Sequence, residues 1–162
     1  MKQTFKYVTV AVFILMPVFA SAQSQTVEPI PLQEALKLAP AEGKKILVDV
    51  FATWCPYCQR MHSEVYPSEE VQKAIIDYFL WVKIDVESDV MVNYHGEEMT
   101  QAQFASALEN QNVPTTYFLN SEGAILGKQP GYLKQDVFVN LLNFIGSDAY
   151  LNQSFQEYAG KK

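Results

Sequence analysis

Ile46-Leu47-Val48-Asp49-Val50-Phe51-Ala52-Thr53-Trp54-Cys55-Pro56-Tyr57-Cys58 passes from one structural period to another within a few residues. Ile46 to Phe51 is an apolar run with one acid inside it, of the length and composition of a strand covered on both faces. After Cys55 the period changes. Cys58, Met61, His62 and Val65 recur on one helical face until Pro67 ends or kinks the helix. The two cysteines of the chain therefore both stand where a strand stops and a helix starts.

That position has chemical consequences. The first N–H groups of a helix lack partners inside it, and together with the dipole they stabilise an anion there. A cysteine so placed has its thiol acidity raised, from about 8.5 to as little as about 3.5 in extreme cases. The thiolate is the species that attacks disulfides. Cys58, one turn further on, is close enough to attack a mixed disulfide formed at Cys55 and release the product. Pro56 adds no N–H to the sulfur, yet its fixed φ suits a first helical turn. Plainer readings exist for the same residues. A structural disulfide would close so small a ring that it stabilises little. A zinc centre would take Cys55, Cys58 and His62, but no fourth ligand is evident. His62 by itself reads as a surface helix histidine in preference to a proton relay, Trp54 as packing residue or substrate platform, and Tyr57 as an exposed aromatic that touches substrate or simply sits on a loop.

Working outward, the whole chain has 162 residues, 49% of them hydrophobic and 19% charged, which suits one packed domain and not a disordered chain. Twelve basic residues against 18 acidic ones give a net charge of -6, which disfavours nucleic acid as a partner. At the start, Lys2 and Lys6 precede an apolar run from Tyr7 to Ala20, and Ala20-Ser21-Ala22 carries small residues where a secretory cleavage site needs them. Residues 1–22 thus read as a signal peptide, too short in its apolar part to span a bilayer. Cleavage after Ala22 leaves 140 residues and, with both lysines gone, a charge of -8. The expected location is periplasmic or secreted, with no stable membrane insertion after cleavage, in a compartment where disulfide chemistry operates.

Residues 23–43 read as a leader and a helix, with Pro31 in its first turn, Leu32, Ala35, Leu36 and Ala39 at helical spacing, and an end at Pro40. Ser68 is placed to cap a helix carrying Val71, Ile75, Ile76 and Phe79 inward. Leu80 to Val86 is the next strand, and Glu87 to Met99 a polar loop insertion. Thr100-Gln101-Ala102-Gln103 matches a capping box ahead of a helix through Phe104 and Leu108. Thr115–Leu119 and Ala124–Gly127 form a hairpin around Asn120 to Gly123, and a last amphipathic helix covers Asp136 to Ile145. Residues 147–162 add a helical extension through Tyr150, Leu151, Phe155 and Tyr158. Strands separated by helices imply parallel crossovers, and the final pair an antiparallel hairpin. An α/β fold follows, with a mixed central sheet of four to five strands and helices on both faces.

Val48-Asp49, Ala52-Thr53-Trp54-Cys55-Pro56-Tyr57-Cys58, Lys83-Ile84-Asp85, Val113-Pro114-Thr115 and Gly131 occur in the order found in thioredoxins, and the stretch from 44 to 146 resembles that family. It looks closest to exported bacterial thioredoxin-like proteins, including the periplasmic domain of the transmembrane thiol reductant carrier. Pro-Tyr between the cysteines is the glutaredoxin pair, where thioredoxin proper has Gly-Pro; the 87–99 insertion and the aromatic tail also depart from the minimal pattern. The resemblance implies a thioredoxin fold and a thiol–disulfide oxidoreductase, with Cys55 as nucleophile and Cys58 as resolving thiol. It implies that Pro114 is a cis proline facing the cysteines and that Val113 docks a substrate strand, with Trp54, Pro56 and Tyr57 beside it. It further implies that Asp49, a buried carboxyl whose neutral form burial favours, takes the proton of Cys58, and that Lys83 pairs with Asp49 as a modulator. No cofactor beyond the cysteine pair and no metal is expected. The expected partners are protein disulfides and a membrane thiol donor, met by a monomer. Reduction of exported proteins is the favoured direction. An oxidase, an isomerase, and a non-catalytic binding or chaperone module are the alternatives.

Overall fold

Strand β1 (Lys45–Phe51) lies at the centre, paired in parallel with β2 (Phe79–Asp85) on one side and antiparallel with β5 (Thr115–Leu119) on the other. The structure is a computed structural model that describes residues 26–160. The leader expected at 1–22 and its cleavage point lie outside the described residues. Strand β6 (Ile125–Pro130) pairs antiparallel with β5, completing a mixed four-stranded sheet in the order β2-β1-β5-β6.

The period-two alternation of β1 sorts the two cores. Ile46, Val48 and Val50 face one way, against Leu32, Ala35 and Ala39 of α1 (Leu32–Glu42) and Phe104 and Ala105 of α4 (Gln101–Ala107). Leu47 faces the other way, against Val71, Ala74 and Ile75 of α3 (Glu69–Tyr78) and Phe138 and Leu142 of α5 (Gln135–Gly146). Helices cover both faces, as a sheet with buried parallel strands requires.

Several local expectations are corrected by how backbone groups find partners. Helix α1 does not end at Pro40; it runs on to Glu42, where Gly43 takes a left-handed conformation (φ 63°) and its N–H closes on the Ala39 carbonyl. Ser68 is the N-cap of α3, but its hydroxyl turns back and donates to the Val65 carbonyl at 2.9 Å instead of capping. The Thr100 capping box forms reciprocally: Thr100 Oγ1 accepts from the Gln103 N–H at 3.1 Å, and Gln103 Oε1 accepts from the Thr100 N–H at 2.8 Å. The stretch read as a loop insertion contains a hairpin of its own, β3 (Met91–Tyr94) with β4 (Glu97–Thr100), which turns at His95-Gly96. Val92 joins the α1 side of the core, and the Tyr94 hydroxyl donates to the Gly123 carbonyl at 2.8 Å. The C-terminal extension is a short 3-10 turn (Ala149–Leu151) and α6 (Phe155–Ala159), whose Phe155 and Tyr158 rings meet Phe144 of α5 at 5.5 and 5.4 Å. No helix among the described residues is long and apolar enough to cross a membrane.

Phe138 is fully buried in the α5 side of the core. Truncating such a ring removes its transfer energy and leaves a cavity, so Phe138→Ala is expected to lower unfolding stability by about 3–5 kcal/mol in urea melts.

Candidate active site

Cys55 is the N-cap of α2 (Pro56–Arg60), with the extended backbone of a cap (φ -80°, ψ 113°) and Pro56 in the first turn. Its sulfur accepts the Cys58 N–H at 3.2 Å, which is the orphan donor of the helix start put to use. The two sulfurs are joined as a disulfide, with Cα atoms 5.2 Å apart. Across the loop the Val113–Pro114 peptide is cis, and the Val113 carbonyl oxygen lies 3.6 Å from Cys55 Sγ. Both cysteines are nearly buried, while Trp54 and Tyr57 on either side are 62% and 57% exposed. Gln59 braces the strand-to-helix turn by donating to the Thr53 carbonyl at 2.8 Å. Tyr57 meets the Tyr132 ring at 6.1 Å, and the Arg60 guanidinium sits 4.8 Å over that ring. Cys55, Cys58, Trp54, Pro56, Tyr57, Val113 and Pro114 thus come to one edge of the molecule.

Asp49 and Lys83 lie beneath, opposite each other in the parallel register of β1 and β2, with Thr116 opposite Asp49 on β5. The expected direct pairing of Asp49 with Lys83 is corrected. The imidazole of His62 stands between them, its Nε2 2.5 Å from Asp49 Oδ2 and its Nδ1 3.3 Å from Lys83 Nζ. His62 is therefore not a surface histidine; its side chain is 22% exposed, and that of Asp49 only 1%. It reaches inward because α2 passes into a π-helical turn, Met61–Val65. Phe51 closes the pocket, its ring edge-on to His62 at 5.1 Å and under the Lys83 ammonium at 4.4 Å. Tyr66 follows, stacked on Trp81 at 4.6 Å and tilted against His62 at 5.7 Å. Its hydroxyl is fully buried and makes no hydrogen bond of normal geometry. Burial pushes the Tyr66 phenol well above its ordinary value, and the nearby Asp49 charge pushes it the same way. His62 and Tyr66 are the residues that sequence reasoning left out of the site. The available signal was their place after Cys58 on the buried side of the same helix. Among the described residues, no group of three or more His, Cys, Asp or Glu side chains is placed to hold a metal ion.

Residues 32–146 match the family model described as a thioredoxin-like domain. The chain belongs to the thioredoxin-like family. The disulfide of this thioredoxin-like chain is the cysteine pair with which such proteins work. Among curated relatives, the thiol:disulfide interchange protein DsbD of Yersinia pestis is 29% identical over 102 residues, covering 61% of this chain and 15% of that protein. DsbD of Pseudomonas sp. is 34% identical over 73 residues, 45% of this chain and 12% of the relative. The chain thus spans less than a fifth of the length of these relatives. Solved structures agree on the fold. A thioredoxin from Thermus thermophilus superposes with a TM-score of 0.60 at 23% identity, covering 75% of this chain and 88% of that one. A thioredoxin-fold protein from Helicobacter pylori gives 0.59 at 23% identity over 74% and 80%. The DsbH oxidoreductase gives 0.52 at 15% identity, but over 98% of this chain and 96% of its own.

The Tyr66 environment predicts an alkaline limit. In the unfolded chain this phenol ionises near its ordinary value of about 10, whereas in the folded protein it keeps its proton. Its contribution is intact below pH 10 and is lost as pH rises above it, because the folded state then binds more protons than the unfolded one. Urea melts are expected to show falling stability above about pH 10, with Tyr66→Phe removing up to about 1.4 kcal/mol of that loss per pH unit.

Proposed function

We propose that this thioredoxin-like chain is an exported thiol–disulfide oxidoreductase that reduces disulfides of exported proteins and is recharged by a membrane thiol donor. The observation that carries the reading is Cys55 at a helix N-cap, its sulfur held by the Cys58 N–H and facing the Val113 carbonyl at the protein edge. A site that only bound partners would need neither that donor nor the second cysteine. The similarity to thiol:disulfide interchange proteins supports the same chemistry, and the charge pattern of residues 1–22 supports export. In this layout a leader of 1–22 and a segment of 23–43 precede the catalytic domain of 44–146, and 147–162 form a helical extension.

In the reduced protein the Cys55 thiolate, favoured at the helix start, attacks one sulfur of a client disulfide and expels the other as a thiolate. Cys58 gives its proton to Asp49 and attacks Cys55 Sγ, releasing the second client thiolate. Two electrons pass to the client, and the Cys55–Cys58 disulfide remains. A donor dithiol then opens it by the reverse exchange. Trp54 and Tyr57 supply the exposed apolar surface on which a client segment rests, Pro56 starts the helix, and Val113, held by Pro114, offers its backbone to an extended client chain.

Cys58→Ala is expected to accumulate Cys55-linked mixed disulfides on non-reducing gels, and Cys55→Ala to reduce insulin disulfides no faster than the uncatalysed reaction. Unchanged insulin reduction in Cys55→Ala would sink the assignment. Client binding that persists in the double variant, with no exchange activity in the parent, would favour a binding module. Equilibration with glutathione is expected to give a midpoint nearer about -270 mV than about -120 mV; the latter value would mark an oxidant.

A further inference from the structure

The elements that carry the disulfide also carry a cluster of ionisable groups that the exchange of sulfurs does not require. Asp49 on β1, His62 on the π-helical turn and Lys83 on β2 form a continuous line, carboxylate to imidazole at 2.5 Å and imidazole to ammonium at 3.3 Å. The inner end is buried, and the outer end is partly open. A lysine ammonium only donates, so His62 Nδ1 accepts from Lys83, and Nε2 carries the ring hydrogen and donates to Asp49 Oδ2. A doubly protonated ring would set Nδ1–H against the ammonium. The other groups around the ring are accounted for. Tyr66 keeps its phenolic proton, the Phe51 face takes the Lys83 charge, Arg60 and Glu64 pair with each other at 3.1 Å, and Asp85 accepts from the Glu87 N–H at 3.0 Å. His62 also lies one turn beyond Cys58 on the same helix.

We infer that His62 is a positioning residue that orients Asp49 and connects it to solvent through Lys83, so that the proton exchanged with Cys58 has a route in and out. The inference rests on the assignment of Cys55 and Cys58 above. When a donor thiolate attacks Cys55 Sγ, the S–S bond breaks and its electron pair leaves with Cys58 as a thiolate. Lys83 passes a proton to Nδ1, Nε2 passes one to Asp49, the carboxyl gives one to Cys58, and water restores Lys83. The net transfer is one proton from water to Cys58. In the opposite half-reaction the Cys58 proton leaves by the same line.

The test follows the opening of the disulfide by excess dithiothreitol, and alkylation of the reduced pair by iodoacetamide, across about pH 5 to 9. His62→Gln retains a donor for Asp49 and an acceptor for Lys83 but passes no proton. It is expected to slow opening about tenfold at neutral pH and to change how the rate depends on pH. Added imidazole is expected to restore part of the rate in His62→Ala. A His62→Gln protein with the parent's rate and pH profile would overturn the inference. Lys83→Gln, which leaves His62 in place, is expected to slow opening as well; an unchanged rate and pH profile there removes Lys83 from the route and overturns it equally. Both readouts use small thiol reagents, so a parent protein inactive on insulin would refute the proposed function while the His62 measurements still decide this inference.

Discussion

Covering β1 on both faces places a carboxylate where water cannot reach it, and the arrangement around the disulfide answers that burial. An isolated buried charge is costly unless it is paired and hydrogen-bonded. Asp49 meets the condition through His62, which is carried by the π-helical turn and is held on its other side by Lys83, placed there by the register of β2 with β1. Parallel pairing aligns Asp49 with Lys83, and antiparallel pairing aligns it with Thr116. A slip of one residue in either ladder would turn Asp49's neighbours to the opposite face. The buried acid therefore ties the register of three strands to the site.

The helix that carries the cysteines is shaped for the same purpose. Its start is set by Cys55 as cap and Pro56 in the first turn, which leaves the Cys58 N–H for the sulfur. Its continuation is not regular. The π-helical turn at Met61–Val65, closed by the Tyr66 N–H on the Met61 carbonyl at 2.9 Å, inserts an extra residue into the turn and brings Val65 and Tyr66 both inward. Tyr66 then packs on Trp81 and edge-on to Phe138, so the α5 side of the core anchors the segment that holds His62. An apolar interaction thus fixes the place of a polar one.

What could be read before the fold was known follows the range of the interactions. Cys55 and Cys58 at a strand-to-helix junction, the Thr100 capping box and the alternation of β1 are local, and short windows of sequence carry them. The hairpin at 91–100 is masked in the sequence because Asn93, His95, Glu97 and Glu98 give it a polar composition, while Val92, Tyr94 and Met99 carry its packing. Pro40 suggested a helix end, but the tertiary contacts of Ala39 and the left-handed Gly43 carry the helix two residues further. For His62 the helical period gives the face but not the contact: its partner Asp49 is thirteen positions away on another element, and the π-turn that aims it there is not marked in the sequence.

The site divides into two layers with different demands. The rim has Trp54 and Tyr57 exposed and Tyr132 half-buried beside them, with the Arg60 charge over one ring, and aromatic residues with Arg are the composition enriched at protein interfaces. The layer beneath holds Asp49, His62 and Lys83 where the dielectric is low and small displacements matter. Among the described residues no hydrogen bond or ion pair joins the two, and the short helix from Cys55 toward His62 connects them. Pro-Tyr between the cysteines belongs to the upper layer, since Pro56 and Tyr57 are both exposed. Its departure from the thioredoxin Gly-Pro therefore falls on exposed surface, apart from the contacts that join Asp49, His62 and Lys83.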